Sequence, residues 1–255
     1  MHDAIILAGG ETTKHLSSLS VQPYEALIEI AGKPMVTFVA DALAKSGQVD
    51  RILVVGPAQA LRSCHFPPNT VIVEGGRTIM ETISLGVAAL GHHNKTLVAT
   101  ADIPLLTPES INHFLAQCSQ IDADLYYPIV TEEINEQAYP GTKRTYVRFR
   151  EGTFTGGNLF LVNPAIVPQC MVVAERIVSN RKNPLKLCHI LGWSFVLRFI
   201  VGLLSLPQVE NRVSQLLNIR GAVVQSPYAE LGIDVDKPSD YQLVQSAFSA
   251  KGLVR

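Results

Sequence analysis

Cysteine and net charge are the two things that this 255-residue chain has little of. Its four cysteines lie far apart and form no Cys-x-x-Cys pair, which argues against a zinc site or a disulfide framework and favours a reducing, cytoplasmic location. The formal net charge is only -1, so we expect no attraction of the whole molecule to nucleic acid. A basic leader before the first apolar run is also missing, so we expect no signal peptide.

Two widespread nucleotide-binding motifs are absent as well. No Gly-x-Gly-x-x-Gly fingerprint occurs, which excludes a typical Rossmann dehydrogenase. Gly32-Lys33 is followed by Pro34 instead of the serine or threonine of a P-loop, which excludes a P-loop kinase. The seven histidines show no metal-ligand spacing.

Apolar sequence is plentiful, since hydrophobic residues make up 47% of the chain and charged residues 17%. In the first half, runs of Ile, Val and Leu without polar alternation are typical of strands that are covered on both faces. The pattern predicts strands at residues 4–7, 51–55, 71–73 and 95–100, and helices at residues 35–45, 78–90 and 108–117.

The second half of the chain has a different pattern. It predicts strands at residues 125–130, 146–150, 159–162, 222–224 and 230–235, and a last helix from Pro238. The stretch from about 165 to 218 looks helical. Because no linker or repeat divides the sequence, we predict a single domain over residues 1–255 with a helical insertion at about 165–218.

The clearest chemical feature is a pair of strand ends. The first strand leads into Gly9-Gly10, where backbone N–H groups can approach a phosphate because no Cβ blocks them. Another strand leads to Asp102, a carboxylate able to hold the divalent cation that phosphates require. A tight turn explains the glycines equally well, and a turn before Pro104 explains Asp102. Ligands bind at such strand ends in open α/β sheets, so we favour a nucleoside triphosphate site.

Five segments in sequence order resemble landmarks of the nucleotidyltransferase superfamily. This superfamily includes MobA-like NTP transferases, sugar-phosphate nucleotidyltransferases and methylerythritol-phosphate cytidylyltransferases. The segments are Gly9-Gly10-Glu11-Thr12-Thr13-Lys14, Gly32-Lys33-Pro34, Asp102-Ile103-Pro104-Leu105-Leu106, Thr155-Gly156-Gly157-Asn158 and Asp234-Val235-Asp236-Lys237-Pro238-Ser239-Asp240. The resemblance implies an α/β chain with a three-layer α/β/α, Rossmann-like nucleotide-diphospho-sugar transferase fold and a mixed, mostly parallel sheet.

The same resemblance implies a Mg²⁺-dependent reaction in which a phosphorylated small-molecule acceptor attacks the α-phosphorus of a nucleoside triphosphate and pyrophosphate leaves. It implies catalytic roles for Lys14, Asp102 and Asp234, with Mg²⁺ held by the two aspartates. Alternation along a strand would turn Asp236 away from the metal. The residues expected to bind the nucleotide are Leu7, Ala8, Gly9, Gly10, Glu11, Thr12, Thr13, Gly75, Gly76 and Thr82. The residues expected to bind the acceptor are Gly157, Asn158 and Lys143.

Three positions depart from the family pattern. Thr12 replaces a glycine, Lys14 replaces the phosphate-binding arginine, and Tyr24-Glu25, with one extra residue, stands where the family has the lysine of its Pro-Lys pair. Lysine offers a point charge where arginine offers a two-pronged fork, and a glutamate repels a triphosphate. Either Lys33 or Arg77 supplies the missing cation, or Glu25 faces elsewhere, or catalysis is weakened.

One further pattern concerns the base. Gly75-Gly76 followed by Thr82 and Gly86 resembles the base-reading loop of cytidylyltransferases, so we expect CTP in preference to GTP. A capped helix after a Gly-Gly turn explains the same residues.

The apolar segment 184–206 nearly has the length of a membrane span, but charged residues such as Arg198 interrupt it. Three interpretations are open: a buried helical pair, a surface for dimerisation or for a partly apolar acceptor, and a helix that rests on a membrane surface. The basic residues that would lead it to a membrane are Arg176, Arg181, Lys182 and Lys186.

Two other functions compete with catalysis by this fold. One is a nucleotide-binding or regulatory domain in which catalysis is weakened. The other is a glycosyltransferase that uses a nucleotide-sugar, although its Asp-x-Asp pair would be expected in mid-chain and here lies near the end.

Overall fold

A mixed nine-stranded sheet forms the centre of the structure, a computed structural model that describes residues 1–91, 94–180, 190 and 192–250. The strands in chain order are β1 His2–Leu7, β2 Glu29–Ile30, β3 Lys33–Pro34, β4 Val49–Gly56, β5 Thr70–Glu74, β6 Thr96–Thr100, β7 Leu125–Thr131, β8 Val147–Phe149, β9 Gly152–Gly156, β10 Leu159–Val162 and β11 Gly221–Gln225. The sheet has the order β5-β4-β1-β6-β10-β7-β9-β8, with β11 beside β7, and β2 and β3 form a separate hairpin. Seven of the nine strands run in one direction, and β9 and β10 run against them.

Helices cover both faces of this sheet. They are α1 Met35–Lys45, α2 Ala58–Leu61, α3 Ile79–Leu90, α4 Pro108–Cys118, α5 Glu132–Ala138, α6 Val167–Ser179, α7 Trp193–Ile200, α8 Leu206–Leu217 and α9 Pro238–Ala250. Successive strand side chains point to opposite faces, so in β1 Ile6 joins the core formed with α1 and α4, while Ile5 joins the core formed with α3 and α6. Both side chains are fully buried. The predicted three-layer α/β/α fold with a mixed, mostly parallel sheet is therefore confirmed.

Helix starts follow the expected capping chemistry. The Thr107 side chain accepts a hydrogen bond from the amide of Ser110 at the start of α4, and Pro108 occupies the first turn. Thr78 caps α3 in the same way, so this helix begins one residue later than predicted. The β6 strand ends shortly before α4, which places its carboxyl end next to a well-defined helix start.

The strand predicted at residues 230–235 is wrong. A short 3-10 helix, Ala229–Gly232, occupies the first part, and the chain from Ile233 to Asp236 has no regular structure. Leu231 in this short helix and Ile233 and Val235 in the irregular stretch are all buried, which explains why the sequence has the alternation of a strand. The structure also contains α5 and β9, which the sequence patterns did not predict.

The stretch predicted as a helical insertion contains α6, α7 and α8. The first half of the apolar segment 184–206 lies mostly outside the described residues, whereas α7 and the chain after it are described. Among the described residues, none of the helices combines the length and the apolar character that a membrane crossing needs.

Candidate active site

The loop after β1 leaves open space beside its glycines. Gly9 and Gly10 are exposed, and a Cβ on Gly9 would meet no heavy atom within 4 Å. Internal packing therefore does not require a glycine at position 9. A glycine here instead leaves room for a ligand to lie directly against the backbone.

Beneath this loop, three strand ends pack too closely for side chains. A Cβ on Gly56, at the end of β4, would lie 2.7 Å from the carbonyl group of Ala8. A Cβ on Gly75, just after β5, would lie 3.0 Å from the Cα of Gly56. The glycines thus fix the ends of β1, β4 and β5 against one another and set the position of the loop. For Gly75 the structure shows this packing role in addition to the predicted nucleotide contact.

Fewer backbone amides are open than the sequence led us to expect. The amides of Ala8, Thr12 and Thr13 donate to acceptors within the protein at distances of 2.9–3.3 Å. In the part of the chain that the structure describes, the loop amides that donate to no acceptor are those of Gly9, Gly10 and Glu11. These three consecutive amides are therefore the ones in the loop that are available to hold phosphate oxygens.

Three aspartates converge at the same edge of the sheet. Asp102 follows β6, while Asp234 and Asp236 precede α9. The amide of Val235 donates to the carbonyl of Asp102 at 3.0 Å, which brings the two segments together. Carboxylate oxygens of the three aspartates lie within 4.8 Å of one another. The prediction that Asp236 turns away is wrong, because this segment is not a strand and side-chain alternation does not apply to it.

The acid cluster fits a divalent cation. The Oδ1 atom of Asp102 is buried and has no hydrogen-bond partner within the described residues, which is costly for a carboxylate unless a cation covers it. All of the metal-ligand atoms that the cluster offers are carboxylate oxygens, and hard oxygen ligands suit Mg²⁺. Mg²⁺ usually keeps several waters, so a separation of up to 4.8 Å between protein ligands is compatible with one hydrated ion.

Several acidic side chains lie close together around the three aspartates. Burial, followed by the charge of Asp234, raises the pKa of Asp102 to about 7. Burial also raises the pKa of Glu25, Asp236 and Asp240, and neighbouring carboxylates raise each of them further. A site that opposes its own ionisation in this way favours the binding of a cation.

Arg144 is a cation that lies against the cluster. Its guanidinium donates to the carboxylate of Asp234 and, at 3.2 Å, to the backbone carbonyl of the same residue. The side chain is 10% exposed, and its Nε has no partner in the described part of the chain. Arg144 and Asp234 are 90 positions apart in the chain, so no local sequence pattern predicted this contact. Lys143, predicted to bind the acceptor, is exposed, and its backbone carbonyl accepts a hydrogen bond from Lys237 Nζ at 2.7 Å.

The structure bears on two of the explanations offered for the missing lysine. Lys33 lies 3.9 Å from Asp41 and Arg77 lies 3.7 Å from Glu81, but both cations are largely exposed, and surface ion pairs of this kind are too weak to keep either cation from a phosphate. Glu25, by contrast, does not face away from the loop. Its Oε1 accepts a hydrogen bond from the amide of Thr13 at 3.3 Å, within the loop.

The other predicted nucleotide-binding groups have mixed surroundings. Lys14 is exposed, and its ammonium group has no partner among the described residues, so it is free to contact a phosphate. The carbonyl of Leu7 accepts from the amide of Ala101 at 3.1 Å. The hydroxyl of Thr82 is buried and accepts from the amide of Gly76 at 3.1 Å, so it shapes the loop rather than facing a base.

The predicted acceptor loop is held beside the end of β6. The amides of Gly157 and Asn158 donate to backbone carbonyls at 2.8 and 2.9 Å, and the carbonyl of Asn158 accepts from the amide of Thr100. A Cβ on Gly156 would overlap the hydroxyl of Tyr127. Burial, followed by the charge of Asp234, raises the pKa of that hydroxyl, which places Tyr127 near the acid cluster.

A domain family and several known proteins resemble this chain. A sequence model described as the MobA-like NTP transferase domain matches residues 4–185. A structure described as a hypothetical transferase from Thermus thermophilus is 34% identical and has a TM-score of 0.84, over 94% of this chain and 100% of that one. A structure of CMP:2-keto-3-deoxy-manno-octonic acid synthetase complexed with CTP has a TM-score of 0.61 at 13% identity, over 98% of this chain and 99% of that one. That second likeness concerns the fold alone.

Curated relatives match over shorter stretches. The bifunctional protein GlmU of Rhodospirillum rubrum is 28% identical over 44% of this chain and 25% of its own length. The 2-C-methyl-D-erythritol 4-phosphate cytidylyltransferase of Nocardia farcinica is 32% identical over 36% of this chain and 42% of its own length. The chain thus spans a quarter to under a half of these two relatives. Because the domain match covers well over half of the chain, the chain belongs to the MobA-like NTP transferase family of nucleotidyltransferases.

Proposed function

We propose that this protein is a Mg²⁺-dependent nucleotidyltransferase that transfers a nucleoside monophosphate from a triphosphate to a phosphorylated small molecule. The observation that carries the proposal is the convergence of Asp102, Asp234 and Asp236 within 4.8 Å, beside a glycine loop with open amides. Membership of a nucleotidyltransferase family supports the same reaction class.

The reaction needs alignment and charge neutralisation more than covalent help. An oxygen of the acceptor phosphate would attack the α-phosphorus, the bond from that phosphorus to the bridging oxygen would break, and pyrophosphate would leave with the electron pair. Bound at the three aspartates, Mg²⁺ would supply charge neutralisation at the phosphates.

The residues of this chain would do the rest of the work. The amides of Gly9, Gly10 and Glu11 would hold phosphate oxygens, and Lys14 would move onto the triphosphate from solvent. Asp234 would be kept in place by Arg144, whose guanidinium binds both its carboxylate and its carbonyl. Asn158, anchored beside the end of β6, would face the acceptor.

We propose CTP as the nucleotide in preference to GTP. The support is the resemblance of the Gly75-Gly76 loop to that of cytidylyltransferases and the similarity to a relative whose name specifies cytidylyl transfer. The hydroxyl of Thr82 is buried and already bonded to the amide of Gly76. The backbone of the loop, rather than this side chain, would therefore bind the base.

Pyrophosphate release tests the proposal. The protein would be incubated with each of the four ribonucleoside triphosphates, Mg²⁺ and a panel of phosphorylated acceptors. We expect one triphosphate and one acceptor to give release, and Asp102→Asn to lower its rate by at least about a hundredfold. Asp41→Asn, at a surface position on α1, is the matched control and should keep the rate. Equal release by the wild type and by Asp102→Asn would contradict the proposed site.

A second candidate is a domain that binds nucleotide without turnover. The observation in its favour is Glu25, which accepts the hydrogen bond of the Thr13 amide within the loop and belongs to the Tyr24-Glu25 pair that stands in place of the family's lysine. Stoichiometric triphosphate binding without pyrophosphate release from any acceptor would identify this function.

A further inference from the structure

The exposed side of α7 carries a continuous apolar stripe. The five side chains of this α7 stripe are between 52% and 67% exposed, and they are Trp193, Leu197, Ile200, Val201 and Leu203. The first three recur at i, i+4 and i+7, which places them on one face of the helix. An exposed apolar surface of this kind on a folded protein marks a contact with another protein or with a membrane.

The α7 stripe is firmly attached to the rest of the fold. Val196, on another face of α7, is buried, and the ring of Phe199 lies 6.2 Å from that of Phe149 on the edge strand β8. The chain that follows the helix is tied to the same edge, because the amide of Arg150 donates to the carbonyl of Leu204 at 3.0 Å. The exposed side chains are therefore presented outward by a docked element whose inner face is already used.

Arginines border the stripe. Arg148 and Arg150 are exposed on and just after β8, and Arg150 Nε donates to the carbonyl of Leu203 at 3.1 Å. A Cβ on Gly202 would lie 3.3 Å from the stem of Arg148, so this stem lies beside the stripe. Arg198 is exposed on α7 itself. The nearby carboxylate of Glu151 accepts the amide hydrogen bond of Leu206.

The sequence around the stripe is strongly unbalanced in charge. Residues 176–209 contain no aspartate or glutamate and five lysines and arginines, in a chain whose formal net charge is -1. A symmetric dimer contact would place the exposed Arg148, Arg150 and Arg198 of one copy against those of the other, which is unfavourable. An anionic lipid surface has the complementary charge and an apolar layer beneath it.

We infer that α7 rests on an anionic membrane surface, with the α7 stripe inserted among the acyl chains and the bordering arginines on the headgroups. Because among the described residues no helix is able to cross a membrane, the contact is peripheral. The inference does not depend on the proposed reaction, and its test contains no nucleotide.

Trp193 is the chain's single tryptophan, so its fluorescence reports on this surface alone. The full chain would be titrated with vesicles of phosphatidylcholine mixed with phosphatidylglycerol, and with vesicles of phosphatidylcholine alone. We expect a shift of emission to shorter wavelength and co-sedimentation with the mixed vesicles only. At about 1 M salt, where the Debye length falls to about 3 Å, the binding should be lost.

Two substitutions to glutamate distinguish insertion of the α7 stripe from a general effect of added negative charge. Ile200→Glu should lower partitioning onto mixed vesicles by about tenfold or more, because the Ile200 side chain leaves water for the acyl chains when the α7 stripe inserts, and this transfer drives insertion. Val71→Glu is the matched control: Val71 is 55% exposed on β5, the opposite edge of the sheet, and the variant should partition like the wild type.

Three results would overturn the inference. One is the absence of any spectral shift or sedimentation with mixed vesicles. Another is an equal loss of binding in Val71→Glu. The third is a shift that depends on protein concentration without lipid and that accompanies a dimer mass, which would assign the α7 stripe to a second copy of the chain.

Discussion

At the scale of single residues, Asp102 determines how the candidate site responds to pH and to metal. Its pKa is raised to about 7 because the carboxylate is buried near Asp234. A carboxyl whose pKa is raised by folding stabilises the folded state at low pH, and this contribution is lost as the pH rises through about 7. The ionised Asp102 is therefore a source of instability that a bound cation would relieve.

Asp102→Asn should make the metal-free protein more stable at high pH. The variant removes a buried charge, so we expect its free energy of unfolding to exceed that of the wild type by about 1–3 kcal/mol at pH 8 and to match it near pH 4. Urea denaturation in EDTA at the two pH values measures this difference. Added Mg²⁺ should stabilise the wild type and leave the variant unchanged. A variant that is less stable than the wild type at pH 8 would show that Asp102 is not held as a buried charge.

Glu25→Lys should strengthen the binding of a triphosphate. The substitution removes a carboxylate that accepts from the loop amide of Thr13, and it puts a positive charge into the Tyr24-Glu25 pair that stands in place of the family's lysine. We expect an increase in affinity of about tenfold, equivalent to about 1.4 kcal/mol, which declines as salt is added. Calorimetric titration with CTP and Mg²⁺ measures it. Glu29→Lys makes the same charge change at an exposed position on β2 and should not alter the affinity; an unchanged affinity in Glu25→Lys would mean that this side chain does not face the nucleotide.

At the scale of elements, the strand ends and their glycines have two separable roles. Gly56→Ala should lower the free energy of unfolding by about 1–3 kcal/mol, because its Cβ would lie 2.7 Å from backbone atoms of Ala8. Gly9→Ala should change stability by less than about 0.5 kcal/mol, since its Cβ meets open space, yet it should weaken CTP binding by about tenfold. Thermal unfolding and calorimetry on both variants measure the two effects. If Gly9→Ala bound CTP as well as the wild type, the loop would not be the phosphate site.

The same elements show what the sequence can and cannot predict. The strand that leads to Asp102 and the helix α4 after it were predictable, because buried strands are continuous apolar runs and Thr107-Pro108 is a distinctive helix start. The loop conformation around Asp236 was not predictable, since a buried loop and a half-buried strand have the same alternation of apolar residues. Arg144 was missed for a related reason: its contact with Asp234 joins residues that are 90 positions apart in two irregular segments, and no local pattern encodes such a pair.

At the scale of the whole molecule, the proposed activity and the proposed membrane contact belong to separate parts of the fold. The acid cluster follows β6 near the centre of the sheet, whereas α7 docks on β8 at one edge. A chain arranged in this way is able to act on a soluble acceptor while it is held at a surface. The two proposals are tested independently, because the vesicle assay contains no nucleotide and the nucleotide assays contain no lipid.

The most direct test of the central claim is calorimetric titration of the protein with CTP, in Mg²⁺ and in EDTA. If the three aspartates hold the cation that brings the triphosphate to the glycine loop, CTP will bind the wild type in Mg²⁺, bind at least about tenfold more weakly in EDTA, and bind Asp102→Asn weakly in both. GTP, UTP and ATP titrated in the same way identify the base. Binding that is equally tight with and without Mg²⁺, or that survives in Asp102→Asn, would contradict the account.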